Sequence, residues 1–500
     1  MMALLTAYCL YGVEHDAMTP TLRRTLPLVV GITLFVATGV VAQPAPIDLG
    51  TLGGTSSTPA AVNESGDIVG WSEVAVGSVM RHAFLWTPTT GMMDLGQDTS
   101  FATAINNLGH VAGGALYGDP FGTHPFLWTP EDGLVEIEPP HLSCCGSTVG
   151  AVNDVDQVVG TLDNLIRPSR AFSWTSTGGM RTLGSLGGPS HAVDVNNSGL
   201  VVGTGLLVPR LFYFEPRHAF TWTDSTGMVD LGTLGGRDSA AVDVNDDGQV
   251  VGWSYTVGSL ESDGSIRHAF LWTAADGMVS LGTLGGPNSE ATAVNARGWV
   301  VGQSDVTPGP SLVHAFLSTP DHGMTDLGTL GGNFSTALDV NDRGQVVGWS
   351  LTTDPAVGRG FVWTAATGIM ELPPLRGYAN SEARLVNNSG YVVGVSCTRS
   401  YSVGDCRATL WVVPVDDAQQ LLADTIALIA SYNLKRLGTS LPDKLQITSN
   451  FAAAGQVREA CGTLTGFLNQ VSAQRGKALT VAQASALATR VIRIRNVLGC

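Results

Sequence analysis

The heptapeptide Asp-Leu-Gly-Thr-Leu-Gly-Gly at residues 230–236 decides the fold, because it recurs along the chain with the same neighbours. A Val-Asn-x-x-Gly-x-Val-Val-Gly segment follows, as at 244–252, and then His-Ala-Phe-Leu-Trp-Thr, as at 268–273. Further copies begin at Asp48, Ser280 and Asp326, and degraded copies begin at Asp94, Glu136, Thr182 and Glu371. Self-similarity at a regular interval indicates a repeat architecture.

One asparagine in each unit marks the interval between repeats. The eight markers are Asn63, Asn106, Asn153, Asn196, Asn245, Asn295, Asn341 and Asn387, which are 43 to 50 residues apart. Each unit contains four short apolar runs, as at 240–245, 249–254, 267–273 and 277–282. Their alternation and β-branched residues predict strands. Four antiparallel strands at this interval are typical of a β-propeller blade.

We therefore predict an all-β, eight-bladed β-propeller over residues 43–414, followed by a small all-α domain over 415–500. The last repeat ends after its third strand at 408–413, whereas the chain offers an unpartnered fourth strand at 47–50. That N-terminal strand is expected to complete the last blade and so remove both exposed sheet edges. An open solenoid is the alternative architecture.

Charge argues against one class of partner. Of the 500 residues 14% are charged, and the net charge is −16. A chain this acidic repels phosphate backbones, so we do not expect a nucleic-acid partner.

Residues 1–42 are interpreted as an N-terminal extension and a secretory signal peptide that starts at Met18. Arg23 and Arg24 precede an apolar run at 26–41, and Ala42 provides a small residue at the cleavage point. An uncleaved membrane anchor is the alternative, although the run is short for a membrane span. We expect a secreted protein, extracellular or periplasmic, with no membrane span after cleavage.

Six cysteines remain once Cys9 is removed with the leader. An even number in an exported chain permits disulfides. Proximity in the sequence favours two bonds, Cys397–Cys406 and Cys461–Cys500, and leaves Cys144 and Cys145 as an adjacent pair of undefined state.

The third apolar run begins with His-Ala-Phe at His82, His218, His268 and His314. The other repeats depart from this triplet, at His124-Pro-Phe, Arg170-Ala-Phe, Arg359-Gly-Phe and Arg407-Ala-Thr. Residues 47–414 thereby resemble the HAF repeat family of extracellular bacterial proteins. The resemblance implies a repeat architecture and export, and it implies no settled activity.

Helical spacing replaces the strand pattern after Val415. Leu422, Ile426 and Ile429 share one stripe, Pro442 marks the start of a second helix, and a third is expected at 457–473. Thr480 and Gln483 form a capping box for a fourth. This end resembles the FIMAH-like helical domain of secreted bacterial proteins, which implies attachment or association.

Most repeated side chains are interpreted as structural. The histidines lie on different blades and alternate with arginine, so a hydrogen bond between strands explains them better than a metal site. The third-strand tryptophans are expected to pack between blades. Asp243, Asn245 and Asp247 match the opening of an EF-hand loop, but its closing glutamate is absent, so Ca²⁺ is only a weak alternative to a hairpin turn. Acids at one first-strand position could ring the channel, namely Asp194, Asp243 and Asp339.

Loops indicate where a ligand binds. Links between the second and third strands vary in length and sequence, whereas the links on the opposite face are short and uniform. Function is commonly found on loops held by a rigid scaffold. The candidate ligand-binding residues are the aromatics of these links: Tyr117, Phe121, Phe212, Tyr213, Phe214, Tyr255 and Tyr401.

We found no recognised catalytic motif, and the chain is therefore more readily explained as a binding or adhesion protein for a glycan or cell-surface protein. The alternatives are a secreted glycan hydrolase or lyase with acids at the channel mouth, and a structural component of the cell envelope.

Overall fold

A computed structural model describes residues 43–96, 98–117, 122–137, 146–163, 168–209, 215–257, 266–308, 312–399, 405–413, 418–432, 440–498 and 500. The strands that it contains are β1 (Pro46–Asp48), β2 (Ser57–Val62), β3 (Ile68–Glu73), β4 (Arg81–Thr87), β5 (Gly91–Asp94), β6 (Ser100–Ile105), β7 (Val111–Ala115), β8 (His124–Thr129), β9 (Gly133–Glu136), β10 (Ser147–Val152), β11 (Val158–Leu162), β12 (Arg170–Thr175), β13 (Gly179–Thr182), β14 (Ser190–Val195), β15 (Val201–Leu206), β16 (Arg217–Thr223), β17 (Gly227–Asp230), β18 (Gly235–Val244), β19 (Val250–Thr256), β20 (Arg267–Thr273), β21 (Gly277–Gly282), β22 (Ser289–Val294), β23 (Val300–Asp305), β24 (Val313–Thr319), β25 (Gly323–Asp326), β26 (Gly331–Val340), β27 (Val346–Thr352), β28 (Gly358–Thr364), β29 (Gly368–Leu372), β30 (Asn380–Val386), β31 (Tyr391–Cys397) and β32 (Cys406–Val412). The helices are α1 (Ala418–Ser431), α2 (Ser440–Ala453), α3 (Val457–Gln474) and α4 (Val481–Leu498).

The strands form antiparallel sheets in chain order. Most sheets have four strands, such as β2-β3-β4-β5 and β14-β15-β16-β17. One sheet has eight strands because a single parallel bridge, Val313 with Phe334, connects β24 to β26. The first strands of successive sheets adjoin one another from β2 through β26 to β30, and β30 adjoins β2.

The N-terminal strand completes the last sheet, as the sequence predicts. β1 pairs with β32 in the sheet β30-β31-β32-β1, with Ile47 opposite Leu410. The Leu49 amide also donates to the Ala408 carbonyl at 3.1 Å. The two ends of the strand-forming segment therefore share one sheet.

The repeated heptapeptide connects each fourth strand to the next first strand. Asp230 Oδ1 accepts the Gly232 amide at 2.7 Å, which closes the turn, and the Leu234 amide donates to Ser254 Oγ at 2.8 Å. Gly236 lies against the neighbouring strand, where a Cβ atom would be 2.5 Å from the Tyr255 carbonyl carbon. The motif is thus a short connector that fits tightly against the second strand.

In seven of the eight repeats a buried serine at the start of the first strand joins the sheet to the preceding one; the exception is Ser147, which faces Pro125, a residue without an N–H. Ser239 Oγ accepts the Ala219 amide at 2.9 Å and donates to the Gly232 carbonyl at 2.6 Å. At the ring closure, Ser57 Oγ accepts the Ala408 amide at 3.0 Å. Corresponding bonds are made by Ser100, Ser190, Ser289, Ser335 and Ser381.

The marker asparagines form a closed ring of hydrogen bonds at the other end of the first strands. In each case Nδ2 donates to the backbone carbonyl of the next marker, at 2.9–3.2 Å, and Asn387 donates to the carbonyl of Asn63. Each Oδ1 accepts the amide four residues later, as from Gln249 to Asn245 at 3.0 Å. All eight side chains are buried. One residue type therefore caps its own turn and bonds the next sheet.

Apolar side chains fill the space between sheets. The third-strand phenylalanines, such as Phe220 and Phe270, are fully buried. Each first strand has a bulge, and a second-strand glycine faces it: at Gly252 a Cβ atom would be 2.0 Å from the Ala240 carbonyl oxygen. This close approach explains the constant glycine in Val-Val-Gly.

The helices have a hydrophobic cluster of their own, which includes Leu422, Leu445, Phe467 and Leu487. The predicted capping box is present, since the Gln483 amide donates to Thr480 Oγ1 at 3.1 Å and Gln483 Oε1 accepts the Thr480 amide at 3.0 Å. Among the described residues no helix is long and apolar enough to span a bilayer.

Both predicted disulfides are formed, Cys397–Cys406 and Cys461–Cys500. The first connects β31 to β32, and the second connects α3 to the last residue. Cys144 and Cys145, and the predicted signal peptide, lie outside the described residues.

The asparagine ring gives a first prediction. Asn245→Ala removes the donor to the Asn295 carbonyl and the acceptor of the Gln249 amide, both within a buried turn. The Asn295 carbonyl keeps the Gly298 amide at 3.0 Å, whereas the Gln249 amide is left without its acceptor. An unsatisfied buried group costs about 1–3 kcal/mol, so we expect the free energy of unfolding to fall by about that amount in denaturant titrations. Asp247→Ala, in the same turn but exposed, is the control, with an expected change within about 0.5 kcal/mol. Equal effects of the two substitutions would contradict a stabilising ring.

Candidate functional site

A cleft of about 630 Å³ opens at the end of the ring where the second-to-third links emerge. It is lined by the end of β3 with Trp71, the start of β4 with Arg81, the end of β27 with Trp349, and the start of β30 with Glu382 and Arg384. The disulfide between β31 and β32 forms part of the same wall. The cleft therefore uses strand ends from the first sheet of the ring and from the last two, beside the closure.

Two indoles provide the aromatic surface of this cleft. Trp349 stacks on Phe334 with ring centroids 4.9 Å apart. Trp71 is half-buried and carries the Arg81 guanidinium over its ring at 4.0 Å from the centroid. An indole held in place by its neighbours offers a ligand a large contact area, and it loses little conformational entropy when the ligand binds.

The charged groups of the cleft differ in how they are satisfied. Glu73 Oε2 accepts hydrogen bonds from the Thr55 amide at 3.1 Å, from the Thr55 hydroxyl at 3.0 Å and from the Ser56 amide at 3.2 Å. Arg384 pairs with Glu382 at 3.1 Å. Within the part of the chain that the structure describes, the Arg81 side chain contacts the Trp71 ring and forms no ion pair or hydrogen bond. Its guanidinium donors are thus available to a ligand.

The tryptophans of the second strand, two of which line the first cleft, were not predicted from the sequence, where only the third-strand tryptophans were considered. The signal was present in the Val-Val-Gly-x frame, where x is tryptophan in three repeats, at Trp71, Trp253 and Trp349, and varies in the others. A variable position inside a constant strand indicates that the scaffold does not fix the residue. The third-strand tryptophans pack between sheets as expected; Trp411 is fully buried, and its Nε1 donates to the Pro373 carbonyl at 2.8 Å.

A second cleft of about 530 Å³ lies on the same face and includes Tyr255, a predicted ligand-binding residue. Tyr255 meets Trp253 edge-on with centroids 5.5 Å apart. Arg267 borders this cleft as well, but it forms an ion pair with Glu290. Each cleft therefore has aromatic residues of its own. The arginine of the second cleft is held in an ion pair, whereas the Arg81 side chain of the first cleft is available to a ligand.

Of the other predicted ligand-binding residues, Tyr117 packs against the core, and the rest lie outside the described residues. Tyr117 follows β7 in a left-handed conformation, with φ of 43°, and packs against the core between the first two sheets. Its hydroxyl is buried, and burial raises the pKa of Tyr117. The remainder lie outside the described residues, namely Phe121, Phe212, Tyr213, Phe214 and Tyr401.

The histidines of His-Ala-Phe bond the fourth strand of their own sheet. His82 Nδ1 lies 2.9 Å from Asp94, and His218 Nδ1 lies 2.8 Å from Asp230. Where arginine replaces histidine, Arg359 pairs with Glu371 at 2.9 Å. A hydrogen bond between strands thus accounts for both residue types, as predicted.

At the opposite end of the ring, acids and amides alternate just beyond the marker asparagines. Glu64, Asp154, Asp246 and Asp342 are the acids, and each accepts a backbone amide of the preceding sheet, as from Asn197 to Asp246 at 2.9 Å. A space of about 380 Å³ lies between them. These carboxylates serve as connections between sheets.

The three first-strand acids also connect sheets instead of lying free in solvent. Asp194, Asp243 and Asp339 accept the amides of Val244, Val294 and Val386 at 3.1, 2.7 and 2.8 Å. Burial, and then the charge of Asp194, raises the pKa of Asp243 well above its usual range. Burial raises the pKa of Asp339 to about 6.

The EF-hand interpretation finds no support in these contacts. Asn245 Oδ1 accepts the Gln249 amide, Asp243 accepts two backbone amides, and Asp247 is exposed. No group of three potential metal ligands occurs among the described residues. The segment is a hairpin turn in which the side-chain oxygens of Asp243 and Asn245 accept backbone amides.

The sheets, their adjoining first strands and the strand shared between the chain ends together define a β-propeller. No protein family and no curated protein matches the sequence. Similar solved structures include the β-propeller domain of the Trilobed protease from Pyrococcus furiosus, with a TM-score of 0.35 and 9% identity over 72% of this chain and 97% of that chain. TolB from Acinetobacter baumannii has a TM-score of 0.33 and 12% identity over 52% of this chain and 63% of that chain. A gluconolactonase from Xanthomonas campestris has a TM-score of 0.29 and 11% identity over 71% and 97%. Scores this low carry no argument about this chain.

Asp339 gives a prediction about pH. Its carboxyl has a pKa of about 6 in the folded chain against an ordinary 3.8, so its ionised form is disfavoured by folding. The associated loss of stability is absent well below pH 3.8 and develops fully as the pH rises through about 6. Asp339→Asn is therefore expected to reduce the fall of the melting temperature between mildly acidic and neutral pH. Asp246→Asn, at the same end of the ring, is the control; identical pH profiles for Asp339→Asn and the parent would contradict the shift.

Proposed function

We propose that the chain is an exported binding or adhesion protein that holds a glycan or protein ligand in the 630 Å³ cleft. The observation that supports this most directly is the combination of two fixed indoles with the available guanidinium of Arg81. Aromatic and arginine side chains dominate the binding energy of many interfaces. Binding requires such a surface and no reacting group.

We also propose the finer architecture. The eight repeats imply eight blades, with the eight-stranded sheet counted as two. The proposed domains are an N-terminal extension and signal peptide at 1–42, the propeller at 43–414 and a FIMAH-like helical domain at 415–500. The two disulfides are compatible with an oxidising compartment and so with secretion.

A glycan-active enzyme is the competing function, and one observation favours it. Burial raises the pKa of Glu64 and of Asp339 at one end of the ring, and perturbed carboxyl groups are common in active sites. Both groups nevertheless accept backbone amides of neighbouring sheets. Their contacts are explained by blade connection, which leaves binding as the better-supported function.

Replacing the indoles tests the proposed site. Trp71→Ala and Trp349→Ala are each expected to weaken binding by about tenfold or more, equivalent to about 1.4 kcal/mol, in assays on polysaccharide arrays and peptide libraries. Trp253→Ala, at the same repeat position and in contact with Tyr255 of the second cleft, is the matched control and should leave binding at the first cleft unchanged. Melting curves check that the variants are folded.

Two results would contradict the proposal. One is measurable turnover of a polysaccharide by the purified protein, abolished by Glu64→Gln. The other is a loss of binding in the Trp253 variant as large as that in the Trp71 variant.

A further inference from the structure

The link between β3 and β4 exposes aliphatic side chains beside the cleft. Val76, Val79 and Met80 are 76%, 93% and 44% exposed. The link is nonetheless ordered by backbone bonds, because the Ser78 amide donates to the Ala75 carbonyl at 3.1 Å. Single exposed apolar residues are ordinary, but a cluster at the tip of a turn marks an interaction surface.

The two ends of this link carry the cleft's own residues. Glu73 precedes it and Arg81 follows it, and both line the cleft. The aliphatic tip, the Trp71 indole and the Arg81 guanidinium are therefore adjacent parts of one hairpin. We call the five residues Trp71, Val76, Val79, Met80 and Arg81 the hairpin surface.

Charge on this surface selects the kind of group that binds. The acids that line the cleft already have partners: Glu73 accepts three hydrogen bonds, Glu382 is paired with Arg384, and Asp405 accepts the Thr55 hydroxyl at 3.3 Å. Arg81 is left with donors that no described residue accepts. A guanidinium fixed over an indole matches a carboxylate in geometry and charge.

The aliphatic tip selects the class of partner. Valine and methionine side chains offer no plane for a sugar ring and no hydrogen bond for a hydroxyl group. They do offer apolar area for aliphatic or aromatic side chains, as the centres of protein interfaces do. We propose that the hairpin surface binds an extended segment of a partner protein that carries an apolar side chain and a carboxylate, the carboxylate pairing with Arg81. The inference rests on the proposed function and narrows its ligand to a protein.

The proposed peptide binding can be tested by selecting a random-peptide phage library against the purified full chain. A polysaccharide array, probed with the same protein, is the second arm of the experiment. Selected peptides are expected to contain an acidic residue next to aliphatic or aromatic residues. Arg81→Ala should weaken such peptides by about tenfold or more, and replacing the peptide carboxylate by an amide should do the same. Arg81→Ala combined with the amide peptide should weaken binding little more than either change alone. That result would show that the Arg81 guanidinium and the peptide carboxylate bind each other.

Matched variants separate the hairpin surface from the rest of the protein. Val76→Ser combined with Val79→Ser should reduce peptide binding by about tenfold with an unchanged melting curve, since both residues are exposed. The controls are Val257→Ser, which is 79% exposed beside the second cleft, and Arg181→Ala, an exposed arginine paired with Asp224.

Each outcome decides the inference. Failure to select peptides, or peptides whose binding ignores both Arg81 and the aliphatic tip, overturns it. Polysaccharide binding that requires Trp71, without peptide binding, overturns the inference and leaves the proposed binding function standing. Binding in neither arm contradicts both.

Discussion

The ring of asparagine side chains is the interaction on which the rest of the structure depends. Every marker amide donates to the carbonyl of the next marker, and the last donates to the first. Each side chain is buried, so losing a single donor removes a hydrogen bond between two sheets, and the carbonyl keeps only the amide of its own turn, as from Gly298 to Asn295 at 3.0 Å. Because the bonds run in one direction around the ring, each sheet is positioned by its neighbour, and the orientation of the strands follows.

This constraint divides the molecule into two ends with different freedom. At the asparagine end the turns, the alternating acids and the first-strand aspartates are all committed to backbone donors of the adjacent sheet. At the other end the heptapeptide connectors and the buried serines hold the sheets together, and the second-to-third links are left free to vary. The clefts lie at this second end, beside the variable links. The geometry thus explains why constant and variable sequence alternate within each repeat.

Much of the fold could be predicted from the sequence, because the same repeat occurs eight times and its copies can be compared with one another. Strand positions, the pairing of β1 with β32, both disulfides and the histidine bonds between strands were all predictable from spacing and local chemistry. The hairpin turn at the asparagine was predicted, but the bond from its side chain to the next sheet was missed, since a partner 43 to 50 residues away has no local signal. The cleft was missed for a related reason. Trp71 and Trp349 are far apart in sequence, and only closure of the ring brings their sheets to the same opening.

Ring closure is the central claim, and deletion of residues 43–54 tests it most directly. The deletion removes β1 and the connector that follows it, so β32 keeps β31 but becomes an open edge, and the closing contact between the last and first sheets is weakened. Hydrogen–deuterium exchange with mass spectrometry would be measured on the deletion variant and the parent, together with thermal unfolding. The account predicts faster exchange in β30–β32 and β2–β5, smaller changes in β14–β21, and a broadened transition at lower temperature. A deletion variant with the parent's exchange pattern and melting curve would contradict it.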